Sequence, residues 1–132
     1  MPALLRAWRV GEKAASIGID WTDEAGPRGK LDEELGELDQ AIERADAPGA
    51  SEAAVGEVTA ELGDALFSLV NLARKRGIDP EAALRGTIDR FAGRVARVES
   101  LCRARSCSSA DLDASTLDAL WAQAKAASNE GS

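Results

Sequence analysis

The sequence predicts an all-α fold, a bundle of four or five helices in a single domain. Ala, Leu, Glu and Arg dominate, and runs of β-branched residues with alternating polarity are missing. Apolar residues recur at helical spacing over about residues 4–127, and turn signals separate the periodic stretches. A chain of 132 residues is long enough to bury the core of one domain. We expect residues 128–132 to form a disordered tail.

The first two helices are predicted from their apolar periodicity and the turn residues between them. The first is expected from about Leu4 to Ser16, and a loop follows through Gly26-Pro27-Arg28-Gly29. The second is expected from Gly29 to about Ala45, with one narrow apolar sector as its buried face. This sector contains Leu31, Leu35, Leu38 and Ile42.

The third helix is expected from Ser51, a candidate N-cap, to Arg76, with Gly77 as the stop signal. Its apolar residues spread around most of the circumference, so it requires burial on several sides. Five short helices can barely supply that burial, and we therefore expect a homo-oligomer with this helix near the interface. The expected stripe is Val55, Val58, Leu62, Leu66, Leu69 and Ala73, and the additional apolar residues are Ala65, Phe67, Val70 and Leu72.

The fourth and fifth helices have recognisable start signals. Asp79-Pro80-Glu81 supplies an N-cap, a proline at the first position and an acidic first turn. After a loop over residues 103–113, Ser115-Thr116-Leu117-Asp118 resembles a capping box at the start of the last helix. The spacing of apolar residues in the fourth helix predicts one buried seam, made of Leu84, Ile88, Phe91, Val95 and Val98.

Charge and composition exclude several classes of function. A net charge of −7 repels a nucleic-acid backbone, so we expect no nucleic-acid partner. No apolar run approaches the roughly 20 residues that span a bilayer, and the N-terminus lacks the apolar core of a signal peptide. We therefore expect a cytoplasmic protein without a membrane partner. With no histidine, Ser-His-Asp and Cys-His catalysis are excluded, and Cys102 and Cys107 are too few ligands for zinc.

Two pairs of acidic residues have the same spacing on consecutive helices. Glu34 and Glu37 lie beside the leucine sector of the second helix, and Glu61 and Asp64 repeat the arrangement on the third. One interpretation is that they are ordinary boundary positions at the edge of a core. The other is that antiparallel packing brings four carboxylates together, which costs free energy unless a cation lies between them. Oxygen ligands alone would favour Mg²⁺, with Mn²⁺ as a substitute.

Further residues allow both a structural and a functional interpretation. The fourth helix carries three arginines on one face, Arg90, Arg94 and Arg97. They suit either a solvated surface with ion pairs or a site that binds phosphate oxygens. Trp21 and Trp121 suit either core packing or stacking on a base. Asn71 suits either a polar contact between helices or a hydrogen bond to a base or sugar. Lys30 lies on the same flank of the second helix as Glu34.

The order of these motifs resembles that of the MazG family of nucleoside triphosphate pyrophosphohydrolases. The resemblance covers roughly Leu4 to Lys125, and it corresponds to only one half of the two-domain members. Ile19 stands where Phe is common, and Arg90 stands where Lys is common. The motifs are Ile17-Gly18-Ile19-Asp20-Trp21, Lys30-x-x-Glu33-Glu34-x-x-Glu37, Glu61-Leu62-Gly63-Asp64-Ala65-Leu66-Phe67, Val70-Asn71-Leu72-Ala73-Arg74, Gly77-Ile78-Asp79-Pro80-Glu81, Arg90-Phe91-x-x-Arg94 and Trp121-x-x-x-Lys125.

The resemblance implies an all-α bundle of the nucleoside triphosphate pyrophosphatase type, completed by homodimerisation or a higher homo-oligomer. It implies Mg²⁺-dependent cleavage between the α and β phosphates, giving a nucleoside monophosphate and pyrophosphate. Glu33 or Glu37 would orient or deprotonate the attacking water. The implied metal ligands are Glu34, Glu37, Glu61 and Asp64, and the positions implied for the phosphates or the nucleotide are Lys30, Arg90, Arg94 and Lys125. Asn71 and Trp121 join them as candidate substrate-binding residues for the reasons given above.

The motifs constrain the cleavage chemistry better than the base of the substrate. House-cleaning of non-standard nucleotides is the first expectation. A narrower enzyme for dUTP or dCTP, or for a phosphoribosyl-nucleotide, is the alternative within the same chemistry. A non-catalytic helical adaptor is the alternative from another class, although all four acidic residues of the motif are present.

Overall fold

The computed structural model describes residues 1–105 and 112–130, with only the backbone of residues 128–130. These residues contain five helices and no strand, which confirms the all-α class. In the described part of the chain, no helix is long and apolar enough to cross a membrane. The helices are α1 (Ala3–Ser16), α2 (Ala25–Asp46), α3 (Glu52–Arg76), α4 (Pro80–Ala104) and α5 (Ala114–Glu130).

The chain divides into two compact units, Met1–Glu81 and Ala82–Ser132. That residues 1–132 form one domain stays a prediction. So does the disordered tail: α5 extends to Glu130, and the last two residues lie outside the described part of the chain.

In the first unit, α3 packs against α2 along its length and also contacts α1. The packing of α2 and α3 is antiparallel, because the ion pairs between the two segments run in opposite sequence order. Arg44 near the end of α2 pairs with Glu57 near the start of α3 at 3.1 Å, and Glu24 before α2 pairs with Arg76 at the end of α3 at 3.1 Å. This arrangement places the middle of α2 opposite the middle of α3.

Local capping fixes the ends of α3 and the start of α4 as the sequence predicts. The Ser51 hydroxyl accepts a hydrogen bond from the N–H of Ala54 at 3.1 Å, which satisfies one of the unpaired N–H groups of the first turn. Gly77 ends α3 in the left-handed conformation, at φ 70°. The Asp79 carboxylate accepts from the N–H of Glu81 at 2.9 Å, at the start of α4.

Two predicted helix starts are wrong. Helix α2 begins at Ala25 rather than at Gly29, and Pro27 lies within its first turn, where a helix needs no N–H donor. The cap of α5 is Asp113 rather than Ser115, because the Asp113 carboxylate accepts from the N–H of Thr116 at 2.7 Å. The predicted loop over residues 103–113 also starts later, since α4 continues to Ala104, and residues 106–111 lie outside the described part.

The buried faces of α2 and α3 differ from the predicted leucine sectors. On α2, Leu35 and Ile42 are exposed, while Glu34 is buried. On α3, the leucines of the predicted stripe are exposed, and a different set of residues, three of the four small or polar, is buried instead. The buried residues are Pro27, Leu31, Glu34 and Ala41 on α2, and Ala65, Ser68, Val70 and Asn71 on α3.

In the second unit, α4 and α5 share a small apolar core. Val98, Leu120 and Ala124 are buried, and Leu101, Leu112 and Trp121 pack against them. The predicted seam of α4 is buried at Val98 and half-buried at Val95, but Leu84, Ile88 and Phe91 are exposed, so the prediction is wrong for its first half. Cys102 is buried on α4, and Cys107 lies outside the described residues.

Candidate metal centre

Three carboxylates from α2 and α3 meet where the two helices pack side by side. One oxygen from each of Glu34, Glu61 and Asp64 lies within 4.8 Å of the others. Glu61 and Asp64 are neighbours because three residues correspond to nearly one turn of α3, and the antiparallel packing places Glu34 opposite them. Glu34 is only 5% exposed, Glu61 is half-buried and Asp64 is exposed. The cluster therefore extends from the packed helix contact to the solvent.

Glu37 adjoins this cluster from the next turn of α2. Burial raises the pKa of the Glu61 carboxyl above its ordinary value, and the negative charge of Glu37 raises it further. Asp64 and Glu34 add to the same repulsion. The four acidic residues that the sequence singles out thus lie close enough to interact in one place.

Lys30 supplies a positive charge at the edge of the cluster. Its ammonium lies 3.0 Å from Oε1 of Glu34 and 3.4 Å from Oε1 of Glu33. This ammonium lowers the pKa of the Glu34 carboxyl below its ordinary value, despite the burial of that group. Glu33 itself is exposed and points toward Lys30 rather than into the cluster.

Two carboxylate oxygens of the cluster have unmet hydrogen-bonding capacity. Oε2 of Glu34 and Oε2 of Glu61 are buried, and neither has a hydrogen-bond partner in the part of the chain that the structure describes. A buried anionic oxygen without a partner is costly, and a cation is the partner that would satisfy both oxygens together. Because the ligand atoms are all carboxylate oxygens, they fit a hard divalent cation better than zinc or copper.

A second charged group lies near the C-terminal end of α3, and the sequence reasoning missed it. Arg74 forms two hydrogen bonds to the Asp20 carboxylate, at 2.7 and 3.2 Å, and the Lys75 ammonium lies 3.0 Å from the same carboxylate. Arg74 and Lys75 hold the pKa of Asp20 well below its usual range. We call Asp20, Arg74 and Lys75 the ion network. Asp20 and Arg74 are far apart in sequence, so no periodicity links them. The basic end of α3 was the available signal.

The ion network also involves Asn71, which is buried on α3. Its side-chain oxygen accepts from Nε and Nη2 of Arg74, both at 3.4 Å. Gly11 of α1 lies directly against these groups, because a Cβ there would be 2.8 Å from Nε of Arg74 and 2.9 Å from Oδ1 of Asn71. Of the two interpretations of Asn71, these contacts support the polar contact between helices, and a hydrogen bond to substrate stays a prediction.

Trp21 packs on the first turn of α2. A Cβ added at Gly26 would overlap the indole ring, so the ring needs a glycine at that position. The backbone carbonyl of Trp21 accepts from the Lys75 ammonium at 2.6 Å, which ties this loop to the end of α3. Trp21 also lines a cavity of about 300 Å³ together with Gly18, Ile19 and Asp20.

The remaining candidate residues lie on α4 and α5, in the second unit. Arg90 is exposed and donates to the Thr87 hydroxyl at 3.2 Å. Arg94 is half-buried, and its Nε is buried without a hydrogen-bond partner among the residues that the structure describes. The Trp121 ring packs against Phe91, with the centroids 5.3 Å apart, and Lys125 is exposed. Their roles toward a substrate stay predictions.

Residues 28–98 match the family model described as the MazG nucleotide pyrophosphohydrolase domain. The chain is 37% identical over 125 residues to the nucleoside triphosphate pyrophosphohydrolase/pyrophosphatase MazG of Thermotoga maritima, covering 95% of this chain and 45% of that protein. It is 34% identical over 125 residues to the nucleoside triphosphate pyrophosphohydrolase of Escherichia coli K12, with the same coverage. It is also 42% identical over 66 residues, 50% of this chain, to 14% of the uncharacterized protein YabN of Bacillus subtilis. The chain spans about half the length of the two enzymes.

Proposed function

This chain belongs to the MazG nucleotide pyrophosphohydrolase family, and we propose that it hydrolyses nucleoside triphosphates between the α and β phosphates. The products are a nucleoside monophosphate and pyrophosphate. One observation carries the proposal: the cluster of Glu34, Glu61 and Asp64 contains two buried carboxylate oxygens, one on Glu34 and one on Glu61, that have no hydrogen-bond partner among the described residues. The activity named for the Thermotoga and Escherichia relatives supports the same reaction class.

The cofactor we propose is Mg²⁺, with Mn²⁺ as a substitute. Glu34, Glu61 and Asp64 would hold the ion, with Glu37 as a further ligand from the next turn of α2. Bound there, the ion would supply positive charge to neutralise the charge that develops on the leaving pyrophosphate. The donor set supports this choice, because Mg²⁺ binds carboxylates and keeps coordination positions for phosphate oxygens.

Other residues of the chain would orient the attacking water and bind the phosphates and the nucleoside. Glu37 is favoured over Glu33 for orienting the attacking water, because Glu37 adjoins Glu61 whereas Glu33 is exposed and pairs with Lys30. A base near the reacting phosphate must reach the cluster, and Glu37 is the closer of the two. Positive side chains would bind the phosphate oxygens. These are Lys30, Arg90, Arg94 and Lys125, with Trp121 and Asn71 as candidates for the nucleoside.

A second copy of this chain is the partner we propose. The exposed leucines of α3, Leu62, Leu66 and Leu69, support this, because a monomer leaves this apolar face in water. We further propose a cytoplasmic enzyme that acts on free nucleotides, with no nucleic-acid or membrane partner. Turnover of a panel of nucleotides would distinguish house-cleaning of many non-standard nucleotides from a preference for dUTP or dCTP.

The test is to incubate the pure protein with Mg²⁺ and a panel of nucleoside triphosphates, and to measure pyrophosphate and orthophosphate separately. We expect pyrophosphate from one or more substrates, and loss of the signal when EDTA removes the metal. Orthophosphate as the first product would contradict cleavage between α and β. Absence of turnover with any divalent metal and any member of the panel would favour the helical adaptor instead.

A further inference from the structure

We propose that Lys30 is an exchangeable counter-ion, which pairs with Glu34 when no metal ion is bound and with the triphosphate when metal and nucleotide bind together. Lys30 then opposes the binding of metal alone and couples metal binding to nucleotide binding. The inference rests on the proposed function, and it adds a role that phosphate binding by itself does not include.

The ion pair between Lys30 and Glu34 joins an accessible side chain to a buried one. The side chain of Lys30 is 41% exposed, whereas that of Glu34 is 6% exposed. Lys30 also reaches Glu33, which is exposed, so its ammonium lies between the cluster and the solvent. Among the described residues, Lys30 is the cationic side chain that forms an ion pair with a member of the cluster.

The position of Lys30 allows exchange at low cost. A lysine side chain has a long flexible stem and a compact charge, so its ammonium can leave one oxygen for another without moving the helix. Glu34 is fixed by its burial and stays in place. A divalent cation bound by Glu34, Glu61 and Asp64 would lie close to the ammonium, and the two positive charges would repel each other.

A fixed structural role for Lys30 makes the opposite prediction. If Lys30 served to hold Glu34 so that its free Oε2 faces the metal, removing Lys30 would weaken metal binding. If Lys30 is a counter-ion that must be displaced, removing it strengthens metal binding. The sign of one affinity change therefore decides between the two roles.

The experiment is a titration of the nucleotide-free protein with Mn²⁺, in which electron paramagnetic resonance measures the concentration of the free ion at each point. The variants are Lys30→Gln, and Arg28→Gln as the matched control. Arg28 lies on the same helix and pairs with the exposed Asp32 at 2.7 Å, so its loss changes the net charge equally without touching the cluster. We expect Lys30→Gln to bind Mn²⁺ roughly three- to tenfold more tightly than the wild type, and Arg28→Gln to bind as the wild type.

A second titration uses an α,β-methylene nucleoside triphosphate, which is not cleaved, with and without Mn²⁺. In the wild type we expect Mn²⁺ to strengthen binding of the analogue, and in Lys30→Gln we expect this enhancement to shrink. Lys30→Arg retains the charge, should bind Mn²⁺ as the wild type, and covers the case in which Lys30→Gln does not fold.

Two results would overturn the inference. Weaker Mn²⁺ binding by Lys30→Gln would show a positioning role, and equal changes in Lys30→Gln and Arg28→Gln would show only the effect of net charge. Either result leaves the proposed function standing if the wild type binds Mn²⁺ and releases pyrophosphate. A wild type that binds no Mn²⁺ at any concentration would instead contradict the proposed function itself.

Discussion

Two clusters of charged residues lie along α3, and they differ in whether charges of the same sign or of opposite sign are neighbours. In the first half of the helix, Glu61 and Asp64 crowd against Glu34, so charges of the same sign meet, and two buried oxygens have no hydrogen-bond partner within residues 1–105 and 112–127. Near its end, Arg74 and Lys75 bind Asp20, so opposite charges meet at hydrogen-bonding distance. The charged groups of the ion network pair with one another, whereas the crowded carboxylates of the cluster would be balanced by a bound cation.

The difference separates residues that serve the fold from residues that serve a ligand. A satisfied ion pair fixes the geometry of the chain, and here it ties the loop of Asp20 and Trp21 to α3. Crowded carboxylates destabilise the protein without a ligand, so a bound ligand is the best explanation for their presence. Substitutions in the two clusters should therefore act on different quantities, activity in one and stability in the other.

The largest expected effect is the loss of activity when the carboxylate cluster is altered. Glu34→Gln and Asp64→Asn each remove a negative charge from the proposed metal ligands, and we expect pyrophosphate release to fall at least about a hundredfold. Asp64→Asn should leave the melting temperature unchanged or raise it, because repulsion is relieved. Full activity in either variant would refute the metal assignment, and the helical circular dichroism spectrum is the control for folding.

The next effect is on stability and comes from Gly11. A methyl group at this position would lie 2.8 Å from Nε of Arg74 and 2.9 Å from Oδ1 of Asn71, so α1 or the ion network must shift. We expect Gly11→Ala to destabilise the protein by about 1–3 kcal/mol, measured by urea unfolding. An unchanged free energy of unfolding would mean that the packing of α1 on α3 adjusts freely.

A smaller effect concerns the pH dependence of stability. Arg74 and Lys75 hold the pKa of Asp20 well below its ordinary value of 3.8. The ionised Asp20 therefore stabilises the fold fully above that ordinary value, and this contribution is lost as the pH falls below it toward the folded-state pKa. We expect Asp20→Asn to lower the melting temperature at pH 7 and to flatten its decline in acid.

The control for that experiment is Asp32→Asn. Asp32 is exposed and pairs with Arg28 within one helix, so its loss should have little effect on the melting temperature at either pH. If Asp20→Asn and Asp32→Asn gave the same acid profile as the wild type, the ion network would make no special contribution to stability.

The smallest effect is expected at Gly36, between Glu34 and Glu37. A Cβ there meets nothing within 4 Å, so Gly36→Ala should stabilise α2 by about 0.5–1 kcal/mol. This is the reverse of Gly11→Ala, although both replace a glycine within a helix. A loss of stability that depends on protein concentration would instead indicate that a second copy packs against Gly36.

The sequence predicts helix ends where a single residue decides them. Ser51, Gly77 and Asp79 act through hydrogen bonds or backbone conformation within their own turn, so their effect is visible locally. Pro27 shows the limit of this reasoning. A proline usually signals a break, but in the first turn of a helix it is tolerated, and the sequence does not say which case applies.

The sequence predicts the buried faces and the ion network poorly, because both depend on neighbouring helices. Leu35 is more hydrophobic than Glu34, yet Glu34 is the buried residue. Its burial follows from the position of α3, which no periodicity in α2 specifies. For the four carboxylates, the spacing that occurs twice indicates a shared site as one of two interpretations, the other being ordinary positions at the edge of a core. Asp20 and Arg74 form a single contact between residues far apart in the chain, so no repeated spacing in the sequence indicates it.

Both clusters share α3, and the helix is bounded by Ser51 at one end and Gly77 at the other. One residue inserted between Asp64 and Asn71 would rotate everything beyond it by about 100° around the helix axis. Either the carboxylates or the ion network would then lose their partners on α2 and the loop before it. Length variation in this stretch should be tolerated poorly, whereas the turn at Ala47–Ala50, outside both helices, can change length without altering either cluster.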